Sequence, residues 1–175
     1  MGDPKKQRKK YKTPRHPWQK DRIESELRIL GKYGLRNKRS IWKFKTKVEK
    51  FRTIAKRLLA LSAEESLKQR NELLSKLNRL GILPATATLD DILSLTIEDL
   101  LERRLQTIVV HKGLATTMDQ SRQFIVHGHI TLSGIQVTSP SHIVLRKEED
   151  EVTFSPTSPL ANPEHKIHAA QADKA

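Results

Sequence analysis

Four side chains carry the most legible chemistry in this sequence: Arg103, Arg104, Arg122 and Gln123. A guanidinium fork matches two phosphate oxygens at once, and a Gln amide both donates to and accepts from sugar hydroxyls or base edges. Arg122 and Gln123 follow Thr117-Met-Asp-Gln120, a capping-box signature that opens a helix near Met118. The free N–H groups of such a helix start, at Thr117, suit a phosphate. Lys112 stands where the preceding helix ends, and His127 and His129 flank Gly128 beyond the second. Two His around one Gly do not make a metal set without a further convergent ligand, and none stands at motif spacing. They are read as donors to phosphate or as loop packing. No metal, cofactor or catalytic residue is expected.

The charge points the same way. The chain has 175 residues and a formal net charge of +13. Residues 1–60 hold 21 Lys/Arg against 5 Asp/Glu, whereas residues 61–175 hold 12 against 15. Positive charge so concentrated is costly without counter-charge, so a polyanion held mainly by the N-terminal third is the expected partner. Aromatic residues make up only 5%, too few for broad stacking platforms on single strands. There is no Cys, which excludes disulfides and thiolate zinc sites. The charged start does not read as a secretory signal, and no apolar run approaches the roughly 18 residues of a membrane helix, so the expected state is soluble and intracellular.

These groups need elements to position them. Residues 1–19 are Lys/Arg-rich, carry Pro4, Pro14 and Pro17, and lack periodicity. They read as a basic extended arm that orders on a partner, with Arg15 toward the polyanion and Trp18 as its anchor, either on the protein core, where Trp usually packs, or on the polyanion. A helix over about Asp21–Tyr33 presents Ile23, Leu27 and Leu30 on one face. The basic connector Leu35-Arg-Asn-Lys-Arg39 follows, giving Arg36, Lys38 and Arg39 as binding candidates. A second helix, capped by Ser40, carries the stripe Ile41, Phe44, Val48, Phe51, Ala55 and Leu58. Its other side bears Lys43, Lys47 and Lys50, read as a phosphate-binding face. Ser62-Ala-Glu-Glu65 opens a third helix that contributes Leu67, Leu74, Leu77 and Leu80 to the core and stops at Gly81.

Leu83–Thr88 reads as a loop and Leu89–Leu93 as a short helical turn. Thr96-Ile-Glu-Asp99 caps a helix running to about Val110, with Arg103 and Arg104 on it and Leu100, Leu101, Leu105 and Ile108 facing a core. After Gly128, Ile130 and Leu132, the turn Ser133-Gly134, then Ile135 and Val137 form a hairpin pattern. Residues 143–145 and 152–154 are further strand candidates, separated by an acidic loop. The expected class is α+β, mainly helical: an arm over 1–19, a helical domain over 20–97, a two-helix module with a small sheet over 98–155, and a polar tail over 156–175.

The stretch from Arg103 to Ser141 resembles the alpha-L RNA-binding motif. Thr13-Pro-Arg-His-Pro-Trp18, Gly34-Leu-Arg-Asn-Lys38, Leu95–Thr107 and Ser158-Pro-Leu-Ala-Asn162 extend the resemblance over nearly the whole chain, to the archaeal form of the family of small-subunit ribosomal protein number four. The bacterial form often begins with a cysteine metal cluster, which this chain lacks. Ser121 stands where the family often has Ala, and Ser133-Gly134 where it often has Asn-Gly. The resemblance implies a primary binder of 16S rRNA that nucleates assembly of the small-subunit body. It also implies contact with other small-subunit proteins, especially number five, a bearing on translational accuracy, and proximity to the messenger entry path. A cytoplasmic, ribosome-bound chain that is not a homo-oligomer is expected.

Two rival functions remain. Alpha-L modules also accompany RNA-modification enzymes, but those need a separate catalytic domain, and residues 20–95 lack a Gly-rich cofactor loop and strand–helix alternation. A generic DNA binder explains the charge and leaves the two-helix module without a purpose.

Overall fold

The computed structural model describes residue 2, residues 8–61 and residues 63–162. Helices α1 (Lys20–Lys32), α2 (Lys38–Ala60), α3 (Ala63–Arg79), α4 (Leu89–Ser94) and α5 (Ile97–Glu102) precede α6 (Leu105–His111) and α7 (Met118–Val126). Strands β1 (Ile130–Leu132), β2 (Ile135–Gln136) and β3 (Val152–Phe154) follow, and a 3-10 turn spans Pro159–Ala161. The α+β, mainly helical class therefore holds. The sheet is antiparallel in the order β2-β1-β3, with Thr131 opposite both Gln136 and Thr153.

Helix α2 is the spine. Ile41, Phe44, Val48, Ala55 and Leu58 are buried along one stripe, with Phe51 partly buried beside them. Its N-cap is Asn37 rather than Ser40. The Asn37 Oδ1 accepts the Ser40 N–H at 3.0 Å and the Ser40 hydroxyl at 2.9 Å, so Lys38 and Arg39 become the first helical residues. The signature at Ser62 lies outside the described residues.

In α1 the expected face is displaced. Leu27 is 52% exposed, while Glu26 is buried because it accepts from Arg22 at 2.7 Å and Trp42 Nε1 at 3.0 Å. In α3, Leu67 is exposed and Leu73 takes a place in the core with Leu77. The arm's contact with the core is made by a residue other than Trp18. Trp18 is 88% exposed, whereas Tyr11 packs on Trp42 with ring centroids 6.0 Å apart. The Lys12 N–H donates to Thr46 Oγ1 at 3.1 Å, which ties the arm to α2.

Two hydrophobic clusters meet at residues 101–105. Leu100 and Leu101 belong to the first, with α1–α4, and Leu105, Ile108 and Val109 to the second, with α7 and the sheet. The single helix expected from Thr96 to Val110 is broken between them. Arg103 ends α5, and Arg104, in extended conformation, caps α6. A distant segment causes the break: the Leu105 N–H donates to the His142 carbonyl at 2.8 Å, the Val144 N–H to the Arg103 carbonyl at 3.0 Å, and Arg104 bridges Ile143. Residues 143–145 thus contribute a bridge rather than a strand. At the other end, Leu160 is buried in the second cluster, so residues 158–161 belong to the packed module rather than to a polar tail. The hairpin turn forms at Ser133 and Gly134, with φ of 51° and 77°, the left-handed pair a two-residue connection needs.

Candidate nucleic-acid interface

The joint between the clusters is held by one buried side chain. Gln106 has no exposed surface; its Nε2 donates to the carbonyls of Met118 at 2.8 Å and Gly34 at 3.4 Å, and its Oε1 accepts from Arg104 Nη2 at 3.2 Å. The Ser121 hydroxyl donates to the Gln106 backbone carbonyl at 2.7 Å. Gly34, at φ 56°, allows the α1–α2 corner to approach this closely: a Cβ there would stand 2.7 Å from the Met118 Cβ and 2.8 Å from the Gln106 amide.

This packing sets Arg36, just past that corner, against the exposed side of α7. Arg36, Asp119, Arg122, Gln123, Val126 and His127 line a cleft of about 360 Å³. The start of α7 is capped by Thr117, whose Oγ1 accepts the Gln120 N–H at 3.2 Å, and Gln120 Oε1 turns back to accept from Thr116 N at 2.7 Å. Two guanidinium groups, an amide and an imidazole around one concavity can bind phosphate oxygens and sugar or base edges together. Asp119 adds an acceptor on the same rim.

A second, smaller cleft of about 210 Å³ is lined by Ser40, Lys43, Phe44, Lys47, Arg104 and Ser141. Arg104 is 3% exposed, and its guanidinium carbon lies 5.9 Å from the centroid of the Phe44 ring. Burial, and then the neighbouring Arg122 charge, push its pKa down to about 10, so it stays protonated at neutral pH. Lys47 also lies below the ordinary lysine value, through desolvation first and then the Lys43 and Lys10 charges. Cations outnumber acids in the lining of both clefts: Arg36 and Arg122 against Asp119 in one, and Lys43, Lys47 and Arg104 against none in the other.

Comparison with known proteins decides the family. Residues 5–102 match the ribosomal protein S4/S9 N-terminal domain, and residues 103–152 match the S4 domain. The small ribosomal subunit protein uS4 of Hyperthermus butylicus is 55% identical over 161 residues, 92% of each chain. Those of Methanothermobacter thermautotrophicus and Picrophilus torridus are 48% identical over 171 residues, 98% of each chain, and 52% identical over 170 residues, 95% of this chain and 93% of the relative. This chain belongs to the uS4 family.

The remaining candidates of this uS4 chain take different places. Arg103 lines neither cleft: its Nη1 pairs with Glu149 at 2.6 Å, its Nη2 donates to the Val144 carbonyl at 3.2 Å, and its side chain is 13% exposed. The acidic loop, 46 residues away, draws it inward. Arg104 is not on an open helix face either; it forms the wall of the smaller cleft. His129 is turned to the module, with Nδ1 2.8 Å from Ser158 Oγ and its ring edge-on to Phe124. His127 stacks on it at 6.3 Å and keeps its place in the larger cleft.

Lys38 stands 3.6 Å from Glu26, and Arg39 lies over the Tyr11 ring. Lys43, Lys47, Lys50, Lys112 and Arg15 are exposed, Lys50 beside an apolar groove with Phe51, Ile54 and Lys76, Arg15 beside Trp42 and Glu49. Sequence reasoning missed Gln106, Ser40, Phe44 and Ser141 as parts of the site. Gln106 offered one signal: a lone amide between Leu105 and the apolar run Ile108-Val-Val110.

Proposed function

We propose that this uS4-family chain is a structural, non-catalytic RNA-binding component of the small ribosomal subunit. It acts as a primary binder of 16S rRNA that nucleates assembly of the subunit body. One observation carries the reading: Arg36 of the helical domain and Arg122, Gln123 and His127 of the module converge on one cleft at the joint between the two cores. A rigid two-part wedge of this kind recognises the shape and backbone of folded RNA, whose duplex major groove is too narrow for side-chain readout. On the ribosome, in the cytoplasm, the chain is a single copy. It meets ribosomal protein number five, through which it bears on translational accuracy, and lies near the messenger entry path.

The test is co-sedimentation of a tagged chain with small subunits, combined with filter binding to a 16S rRNA transcript and to duplex DNA of equal length. The expected result is sedimentation with the subunit, preference for the transcript, and affinity that falls with salt by roughly 0.7–0.9 log units per log unit for each neutralised phosphate. Equal binding to DNA, or a salt slope near zero, refutes the reading.

A further inference from the structure

The smaller cleft holds an electrostatic imbalance that the protein does not resolve by itself. Arg104 is 3% exposed, and among the described residues its Nε and Nη1 have no hydrogen-bond partner; Nη2 has one, the Gln106 amide oxygen. A buried guanidinium ordinarily meets a carboxylate, because taking a charge out of water is costly unless it is paired. Here the six lining residues include none: beside Arg104 stand Lys43, Lys47, two hydroxyls and the Phe44 ring. The nearest charges are repulsive, as the depressed pKa of Arg104, through burial and then Arg122, and that of Lys47, through desolvation and then Lys43 and Lys10, both register. Two other polar clefts among the described residues each contain an acid, Asp119 in one and Glu26 with Glu49 in the other.

Position adds to charge. Ser40, Lys43, Phe44 and Lys47 come from α2, Arg104 from the break between the two cores, and Ser141 from the segment that pairs with it. An anion here would touch the helical domain and the module at once. The Ser40 hydroxyl is spent on Asn37 Oδ1, but three cations and the Ser141 hydroxyl suit a tetrahedral oxyanion with several acceptor oxygens better than a single carboxylate.

We propose that Arg104, Lys43 and Lys47, with the Ser141 hydroxyl, form a seat for one phosphate group, supplied by the RNA backbone, that locks the two halves of the protein together. This rests on the RNA-binding reading above. The seat discharges a cost built into the free protein, so phosphate stabilises the fold as well as being bound.

The experiment measures thermal melting of the full chain in rising inorganic phosphate against sodium chloride of matched ionic strength. It compares the unaltered protein, Arg104→Met, and the surface variant Lys43→Gln/Lys47→Gln, whose exposed positions leave the fold intact. The midpoint of the unaltered protein is expected to rise with phosphate above the chloride control, and the rise to shrink in the double-lysine variant and vanish in Arg104→Met. Equal rises in all three proteins, or none in the unaltered protein, overturn the seat.

Filter binding to a 16S rRNA transcript separates the two readings. The double-lysine variant should lower the log–log salt slope by about one per lost phosphate contact. Strong transcript binding with an unchanged slope in that variant overturns the seat and leaves RNA binding standing. Phosphate stabilisation without transcript affinity overturns RNA as the source of the phosphate.

Discussion

Ser121 donates its hydroxyl to the backbone carbonyl of Gln106 at 2.7 Å, and Gln106 in turn donates to the Met118 carbonyl three residues before Ser121. The two bonds fix α7 against α6, and through the Gly34 carbonyl they reach the α1–α2 corner. At Ser121 a methyl would fit the same close approach without that bond, so the hydroxyl adds a link the small side chain makes room for.

Gln106→Ala should therefore destabilise the protein by about 1–3 kcal/mol, the range for leaving buried polar groups unpaired. The Met118 carbonyl and Arg104 Nη2 would each lose a partner. Urea unfolding measures this, and an unchanged midpoint would deny Gln106 its place at the joint. Ser121→Ala should cost less, about 1 kcal/mol, because it removes one bond and little volume.

Arg103→Ala should cost stability rather than RNA affinity. Its partner Glu149 is 38% exposed, so solvent screening limits the ion pair to about 1 kcal/mol or less. The bond to the Val144 carbonyl adds to this loss. A double-mutant cycle with Glu149→Ala isolates the pair, and RNA binding by Arg103→Ala within twofold of the unaltered chain is expected. A large loss of RNA affinity with no change in melting would return Arg103 to the interface.

What the sequence made legible was local. The capping signatures at Thr96 and Thr117 open helices where expected, and the α2 stripe from Ile41 to Leu58 faces the core. The left-handed pair Ser133-Gly134 turns the hairpin because no side-chain context has to be known to read it. The failures are decided by residues far away in the chain. The helix through Arg103 and Arg104 breaks because residues 142–144 pair with its backbone. Trp42 rather than Trp18 meets the arm, since Trp42 has both Tyr11 for its ring and Glu26 for its N–H. Arg103 looked like its neighbour Arg104 because a partner 46 residues on carries no local signal. Of the candidate site, composition indicated the basic residues, and the tertiary fold brings Arg36 and Arg122 to one cleft and Lys43, Lys47 and Arg104 to another while Arg15, Lys38, Arg39, Lys50 and Arg103 lie elsewhere.

Acid should weaken the corner between α1 and α2. Burial alone would raise the pKa of Glu26, but hydrogen bonds from Trp42 and Arg22, with the Arg22 and Lys38 charges, outweigh it and leave the carboxyl below its ordinary value of 4.5. A carboxyl lowered in the folded state contributes stability that is present above the unfolded pKa and lost as pH falls through the folded one. The loss attributable to Glu26 should therefore develop below about pH 4.5. Glu26→Gln should be less stable than the unaltered chain at neutral pH, and the gap should narrow on acidification. A gap that is constant from pH 7 to well below 4.5 would show that the carboxylate charge is not what matters at this corner.

Arg122 and Leu105 provide opposite tests of the interface. Arg122 is partly exposed on the cleft wall, and its charge presses on buried Arg104, so Arg122→Ala removes a repulsion from the free protein. Its fold should melt close to the unaltered temperature while RNA affinity falls. A charged hydrogen bond is worth roughly 1.5–3 kcal/mol, and the loss at a partly exposed site should be smaller. Leu105 has no exposed surface and stands where the second core begins, so Leu105→Ala should cost about 2–5 kcal/mol of stability through the cavity it leaves. RNA affinity of the fraction that remains folded should change little, because Leu105 contributes no group to either cleft. Melting and filter binding on both variants check this. An Arg122→Ala protein that melts early yet binds RNA as before would place the RNA on a different face of α7.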